Sequence, residues 1–311
     1  MIIDNEKDVT TAVLSELQGA PNGRFREIMS VFIRHLHAFV REAKLTEEEF
    51  HAALAHVVAI GKHSNESHNE AALMAGSLGV SALVCLINNA GHDMSETDQN
   101  LLGPFWRMHS PVTPNGGSIV RSPTPGPALF VNAWFRDGGG NAIAGAEVDV
   151  WHSSPEGFYE NQDPSQADMN LRGKFFTDPD GHIRFRSVKP AGYPIPIGGP
   201  TGQLLQAQGR HNMRPAHLHF LASKEGFKTL ISQIYVQDDP HIETDAQFGV
   251  TRHLIGSYVR HEQEKASAAD VKGPWYSLDH TFVMQAGANK LPRPPITGKA
   301  HGERPKIPHL A

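Results

Sequence analysis

Apolar residues recur every three or four positions before residue 100 and every second position after residue 127. A chain with that switch has to build helices first and strands afterwards. In RFREIMSVFIRHLHAFVREAK, Phe25, Ile28, Met29, Phe32, Ile33, Leu36, Phe39 and Val40 predict one amphipathic helix, Phe25 to Lys44. Thr46 followed by Glu49 is a capping-box signature ahead of FHAALAHVVAIGKH, and NEAALMAGSLGVSALVCLINN predicts a third, more apolar helix. Between Gly103 and Pro127 the sequence is too rich in Pro and Gly for regular structure and reads as a long ordered loop. The expected division is a helical region over 1–102 and a β region over 103–311, the latter ending in a tail. ALFVNAWFRD and AEVDVWHSS read as strands joined by the turn DGGGNAIAG, and GKFFTDPDGHIRFRSV as a hairpin turning at Asp178 to Gly181. AHLHFLAS, TLISQIYVQ and HTFVMQA are further strands. With no helices alternating between them, the fold class is mainly β: an antiparallel β-sandwich or barrel-like core behind an N-terminal α-helical region.

Charge and termini exclude several functions. The formal net charge of −5 argues against nucleic acid, which needs a surplus of Lys and Arg on one face. MIIDNEKDVTTAVL is acidic where a secretory leader is basic, and no apolar run reaches membrane-spanning length, so the expectation is a cytoplasmic protein without membrane insertion. The single cysteine, Cys85, lies in the apolar run VSALVCLIN and reads as a small buried thiol.

The stretch RPAHLHF places His217 and His219 two apart on a predicted strand, where residues i and i+2 project to one face. Two neutral imidazoles aimed at one point offer lone pairs to a borderline cation, although a histidine pair on a core or exposed strand is an equal alternative. Tyr159, in GFYENQDP, and Tyr193, in KPAGYPIPIGGPTG, lie in loops upstream. Either alone is an aromatic with a satisfied hydroxyl. As ligands they require a strong Lewis acid, because a phenol ionises only near pH 10. Two phenolates favour a ferric over a ferrous ion, whose common site uses two histidines and a carboxylate.

The segments LLGPFW, PGPALFVNAWFRD, GAEVDVWHSSPEGFYENQDP, LRGKFFTDPDGHIRFRSVKPAGYPIPIGGPTGQLL, GRHNMRPAHLHF and TLISQIYVQDDPH resemble, in order, the intradiol ring-cleaving dioxygenases of the catechol and hydroxyquinol 1,2-dioxygenase group. The resemblance implies one Fe(III) per subunit held by Tyr159, Tyr193, His217 and His219 with a hydroxide or water, and Arg214 and Gln233 beside the substrate. It further implies that Tyr193 leaves the iron when substrate arrives and takes a proton, that the catalytic part is a β-sandwich, and that the N-terminal helices form a homodimer interface with bound phospholipid. The substrates implied are a small aromatic diol or triol and O2. GPFW, YPIPIGGPTG and LGVSALV are closer to hydroxyquinol enzymes, while Ala75-Gly76 and Cys85 stand where those enzymes often carry acids. Leu73 or Met74, Leu101, Gly103, Pro104, Phe105, Ile195, Pro196 and Ile197 are the implied pocket lining. Alternatives are a catechol or chlorinated substrate, a cupin-like Fe(II) enzyme, and a non-catalytic sandwich module.

Overall fold

The structure is a computed structural model and describes residues 2–89, 96–262, 268 and 270–310. Its first helix, α1 (Glu6–Glu16), escaped the sequence reading because Val9, Val13 and Leu14 make no continuous stripe. A capping box starts it: Asn5 accepts from Lys7 N, and Asp8 accepts from the Asn5 backbone. The predicted amphipathic helix is α2 (Gly23–Ala43), stopped by Lys44 in a left-handed conformation. α3 (Glu47–His63) begins as its capping box predicts, with Thr46 N donating to Glu49 Oε2 at 2.9 Å and Glu49 N to Thr46 Oγ1 at 3.3 Å.

The third predicted helix is two helices, α4 (Glu70–Ser77) and α5 (Val80–Asn89), bent by 72°. Gly79, at φ +72°, makes the bend, since a residue with a Cβ is disfavoured there. No single helix among the described residues is long and apolar enough to cross a membrane. The chain divides into two compact units after Val58; α1 and α2 lie in the first, and α4, α5 and all strands in the second.

In the second unit one sheet has four strands in the order β10 (Tyr258–His261), β11 (Trp275–Val283), β1 (Ala128–Arg136) and β4 (His182–Val188). The other has five, in the order β3 (Arg172–Phe176), β2 (Glu147–Trp151), β7 (His217–Ser223), β8 (Leu230–Val236) and β9 (Ile255–Gly256). A two-strand ribbon pairs β5 (Tyr193–Pro194) with β6 (Met213–Arg214), and α6 (Pro200–Ala207) lies between them in sequence.

The sandwich is as expected, with two corrections to the pairing. The expected hairpin is absent: β3 pairs with β2 and β4 with β1, so the turn Asp178 to Gly181 carries the chain from one sheet to the other. The sheets are also mixed, because β1 runs parallel to β11 and β8 parallel to β9. Period two reports a half-buried strand and says nothing about its partner. Leu129, Val131, Ala133 and Phe135 of β1 interleave with Val148, Val150, Leu218, Phe220 and Ala222 of the other sheet to form the core. Strand β7 spends only one face on that core, yet His217 to Ala222 are all buried. Its second face, with His217, His219 and Leu221, is roofed by segments outside the sandwich, and the candidate site lies there.

Candidate metal centre and substrate pocket

Strand register assembles the site. His219 is opposite Trp151 on one side and Gln233 on the other, and Trp151 is in turn opposite Arg172. Opposed residues share a face, so Arg172, Trp151, His219 and Gln233 form one row across four strands. Trp151 stacks on His219 with ring centroids 4.5 Å apart at 6°. The ribbon adds Tyr193 opposite Arg214, and Tyr159 arrives on the turn after β2, its N–H donating to Gln162 Oε1 at 3.0 Å. Gly103, at φ +70°, lays the loop before Phe105 against the same point: a Cβ there would approach His219 Cε1 to 3.5 Å.

The donor atoms of this cluster converge. His217 Nε2 and His219 Nε2 are 3.1 Å apart, and Tyr159 Oη is 3.3 Å from the first and 3.2 Å from the second. His217 Nδ1 donates to the Pro215 carbonyl at 2.7 Å, which leaves its lone pair on Nε2, pointing inward. Burial, and then the Arg214 charge, push His217 down to about 3, and burial with His217 holds His219 well below the usual imidazole range. Both rings are neutral at pH 7. Burial and Tyr193 hold the Tyr159 phenol well above its ordinary value. Two imidazole nitrogens and a phenol oxygen can hydrogen-bond to one another at these separations, and they are also a donor set that first-row ions bind at about 2.0–2.2 Å. His219 Nδ1 is buried without a hydrogen-bond partner, while the Trp151 ring stacks on that imidazole. The donor set therefore fits a metal ion. Among the described residues no group of three His, Cys, Asp or Glu side chains converges, so a site of two histidines and a carboxylate is not formed.

Arg214 is almost fully buried, and Asp245 accepts from its Nε at 2.9 Å and from its Nη2 at 3.0 Å. That bidentate pair holds the guanidinium well above its usual pKa and turns Nη1 toward Tyr193 Oη (3.5 Å) and His217 Nε2 (3.3 Å). One residue thus forms a buried ion pair with Asp245 and presents its remaining nitrogen to the Tyr193–His217 cluster. Gln233 accepts from Arg214 Nη2 at 3.2 Å and Tyr235 Oη at 2.7 Å, and donates to the Leu101 carbonyl at 2.6 Å. It ties Arg214 to the Leu101 loop.

A cavity of about 190 Å³ opens beside Tyr193 and Arg214. Leu73, Leu101, Gly103, Pro104, Phe105 and Ile195 line it as expected. Three expected residues do not. Met74 is buried but lies about 100° around α4 from Leu73, so one helix face cannot present both. Pro196 and Ile197 line a separate cavity with Asn161 and Pro308, because the chain turns there to enter α6, whose Gly202 packs on the Ile197 backbone. Cys85 is half-buried rather than buried, and its surroundings push the thiol up to about 11. The sequence reading missed Trp151, Tyr235, Asp245 and Gln247. Of these only Trp151 had a signal, two residues upstream of an SSPEGFY turn on a predicted strand.

A mixed β-sandwich that clusters two histidines, two tyrosines and a buried arginine, with Tyr193 and Arg214 opening onto a small cavity, is an arrangement suited to an aromatic-ring dioxygenase, and comparison places the chain in that class. The Dioxygenase family matches residues 103–282 and the Catechol dioxygenase N terminus family residues 22–95. The chain belongs to the intradiol ring-cleavage dioxygenases. It is 40% identical over 282 residues, 90% of its length and 95% of the relative's, to a hydroxyquinol 1,2-dioxygenase of Rhizobium sp. strain MTP-10005. Against a catechol 1,2-dioxygenase of Candida albicans it is 35% identical, covering 88% of this chain and 91% of the relative. The solved hydroxyquinol 1,2-dioxygenase of Pseudomonas putida DLL-E4 superposes with a TM-score of 0.80 at 34% identity, covering 91% of this chain and 99% of the other.

Proposed function

We propose that this enzyme is an Fe(III) intradiol dioxygenase that inserts O2 between the two vicinal hydroxyl-bearing carbons of hydroxyquinol (benzene-1,2,4-triol), giving a hydroxymuconate or maleylacetate-type product. Tyr159, Tyr193, His217 and His219 would hold one iron per subunit. The observation that carries this reading is the meeting of two neutral imidazole nitrogens with a phenol oxygen, all within 3.3 Å, where no group of three His, Cys, Asp or Glu forms among the described residues. Phenolates offset more charge than imidazoles, which favours the ferric state over a cupin-like ferrous site. When bound, the ferric ion supplies the Lewis acidity that stabilises a substrate dianion and makes the ring reactive toward O2.

The protein's own residues do the rest. A diol must lose two protons to bind as a dianion; Tyr193 as phenolate would accept one at its Oη, and the hydroxide that completes the site would accept the other. Arg214 Nη1, 3.5 Å from that oxygen, supplies a fixed positive charge in a cavity that Leu73, Leu101, Phe105 and Ile195 keep dry. Gln233 and Asp245 keep that charge aimed. The mostly apolar wall also admits catechol or a chlorinated ring, the alternative substrates. Iron-loaded enzyme is expected to consume one O2 per hydroxyquinol and to incorporate both oxygen atoms, with kcat/KM highest for hydroxyquinol among hydroxyquinol, catechol and a chlorinated hydroxyquinol. A higher kcat/KM for catechol overturns the substrate; no oxygen uptake with any of them overturns the activity.

We further propose a homodimer built on the N-terminal helices. Phe25, Ile28, Phe32, Leu36 and Phe39 form an exposed stripe along α2, and Leu83, Leu86 and Ile87 are exposed on α5. A groove of about 910 Å³ within the first unit, walled by Val9, Leu36, Phe39, Phe50, Leu54 and Val57, suits a phospholipid chain.

A further inference from the structure

Gln247 stands in the wall of the cavity beside Gly76 and is 4% exposed. Its side-chain amide is held in one orientation, because Nε2 donates to Ser77 Oγ at 2.6 Å and lies 3.4 Å from the Leu73 carbonyl, which can only accept. The other atom, Oε1, meets no hydrogen-bond donor among the described residues. It occupies the room that Gly76 leaves by having no side chain: a Cβ on Gly76 would sit 1.7 Å from this oxygen. The backbone of Gln247 is tied to the reacting end of the cavity, since its N–H donates at 3.0 Å to Asp245 Oδ1, the oxygen that also holds Arg214 Nε.

We propose that Gln247 Oε1 accepts a hydrogen bond from a ring hydroxyl other than the two that flank the bond to be cleaved, and so selects a benzenetriol over a catechol. The proposal rests on the hydroxyquinol reading above. An acceptor in a largely apolar cavity loses its water when an aromatic ring enters. A third hydroxyl replaces that water with a direct bond, whereas catechol leaves the oxygen unpaired; a site built to pair a hydroxyl discriminates against the ligand that lacks it. Gly76 contributes by what it lacks, since any side chain there would displace the amide.

Two variants test this, each measured for kcat/KM on hydroxyquinol and catechol, with iron content and thermal midpoint recorded beside wild type. Gln247→Leu keeps the bulk and removes the acceptor. Gly76→Ala keeps the amide and pushes it aside. Both are expected to lower kcat/KM for hydroxyquinol about tenfold while catechol changes by no more than about twofold, the size of one lost hydrogen bond. An equal fall on both substrates, or an unchanged ratio, overturns the role of Gln247. The wild-type ratio reads the underlying assignment separately: an enzyme that prefers catechol refutes the hydroxyquinol reading, whereas one that prefers hydroxyquinol, with the preference intact in both variants, refutes only the role of Gln247.

Discussion

His152, a buried histidine behind the His217–His219 cluster, shows how protonation is fixed residue by residue. His152 donates from Nδ1 to the Ser153 carbonyl at 2.7 Å, and its Nε2 lies 2.6 Å from Ser187 Oγ, whose hydroxyl can donate to it. Burial pushes this imidazole down to about 4. In the unfolded chain a histidine titrates near pH 6.5, so below that pH the unfolded state takes up a proton that the folded state refuses. The stability His152 provides is complete above pH 6.5, declines as pH falls from 6.5 to about 4, and is gone below. Urea unfolding at pH 7, 5.5 and 4 is expected to show wild type losing on the order of 3 kcal/mol more than His152→Gln across that window; parallel curves would contradict this. At this scale the sequence is uneven evidence. His217 and His219 were legible because a strand's period is two, and Tyr159 and Tyr193 became legible only with them. Asp245 was not, because HIETDAQFGV has no period and its partner Arg214 is brought to it only by the fold.

Among the elements, regular stretches were readable from local pattern and their partners were not. α2 begins and ends at its caps, α3 begins at its capping box, and β1 alternates buried and half-buried residues along its whole length. The expected hairpin failed because a turn with a positive-φ glycine, Gly181 at +71°, serves equally well to cross between sheets. The continuous third helix failed at Gly79, whose φ of +72° costs a residue with a Cβ about 1–2 kcal/mol. Gly79→Ala is therefore expected to destabilise the protein by about that amount, measured as a lower urea midpoint at unchanged m-value. A variant as stable as wild type would mean that the bend between α4 and α5 does not depend on glycine. The bend matters to the site, since α4 brings Leu73 and Gly76 to the cavity wall.

For the whole molecule, the helix-then-strand order and the sandwich were visible in the change of hydrophobic period, while the mixed sheet order was not, because parallel pairing of β1 with β11 joins segments more than a hundred residues apart. Tyr159, His217 and His219 were anticipated as one cluster with Tyr193 beside it, and the cavity lining was anticipated except where Met74, Pro196 and Ile197 face elsewhere. Exposed apolar stripes on α2 and α5 exceed what an isolated subunit needs, and a homodimer is the expected assembly. Light scattering at micromolar concentration is expected to give twice the 34.0 kDa chain mass, and a monomer would refute the dimer. The central claim, a ferric ion held by tyrosinates and histidines, is tested most directly by the visible absorption spectrum of the iron-loaded protein. Phenolate-to-iron charge transfer predicts a red protein whose band weakens in Tyr159→Phe and in Tyr193→Phe; an iron-loaded wild type without colour, or a band unchanged in both variants, would contradict the account.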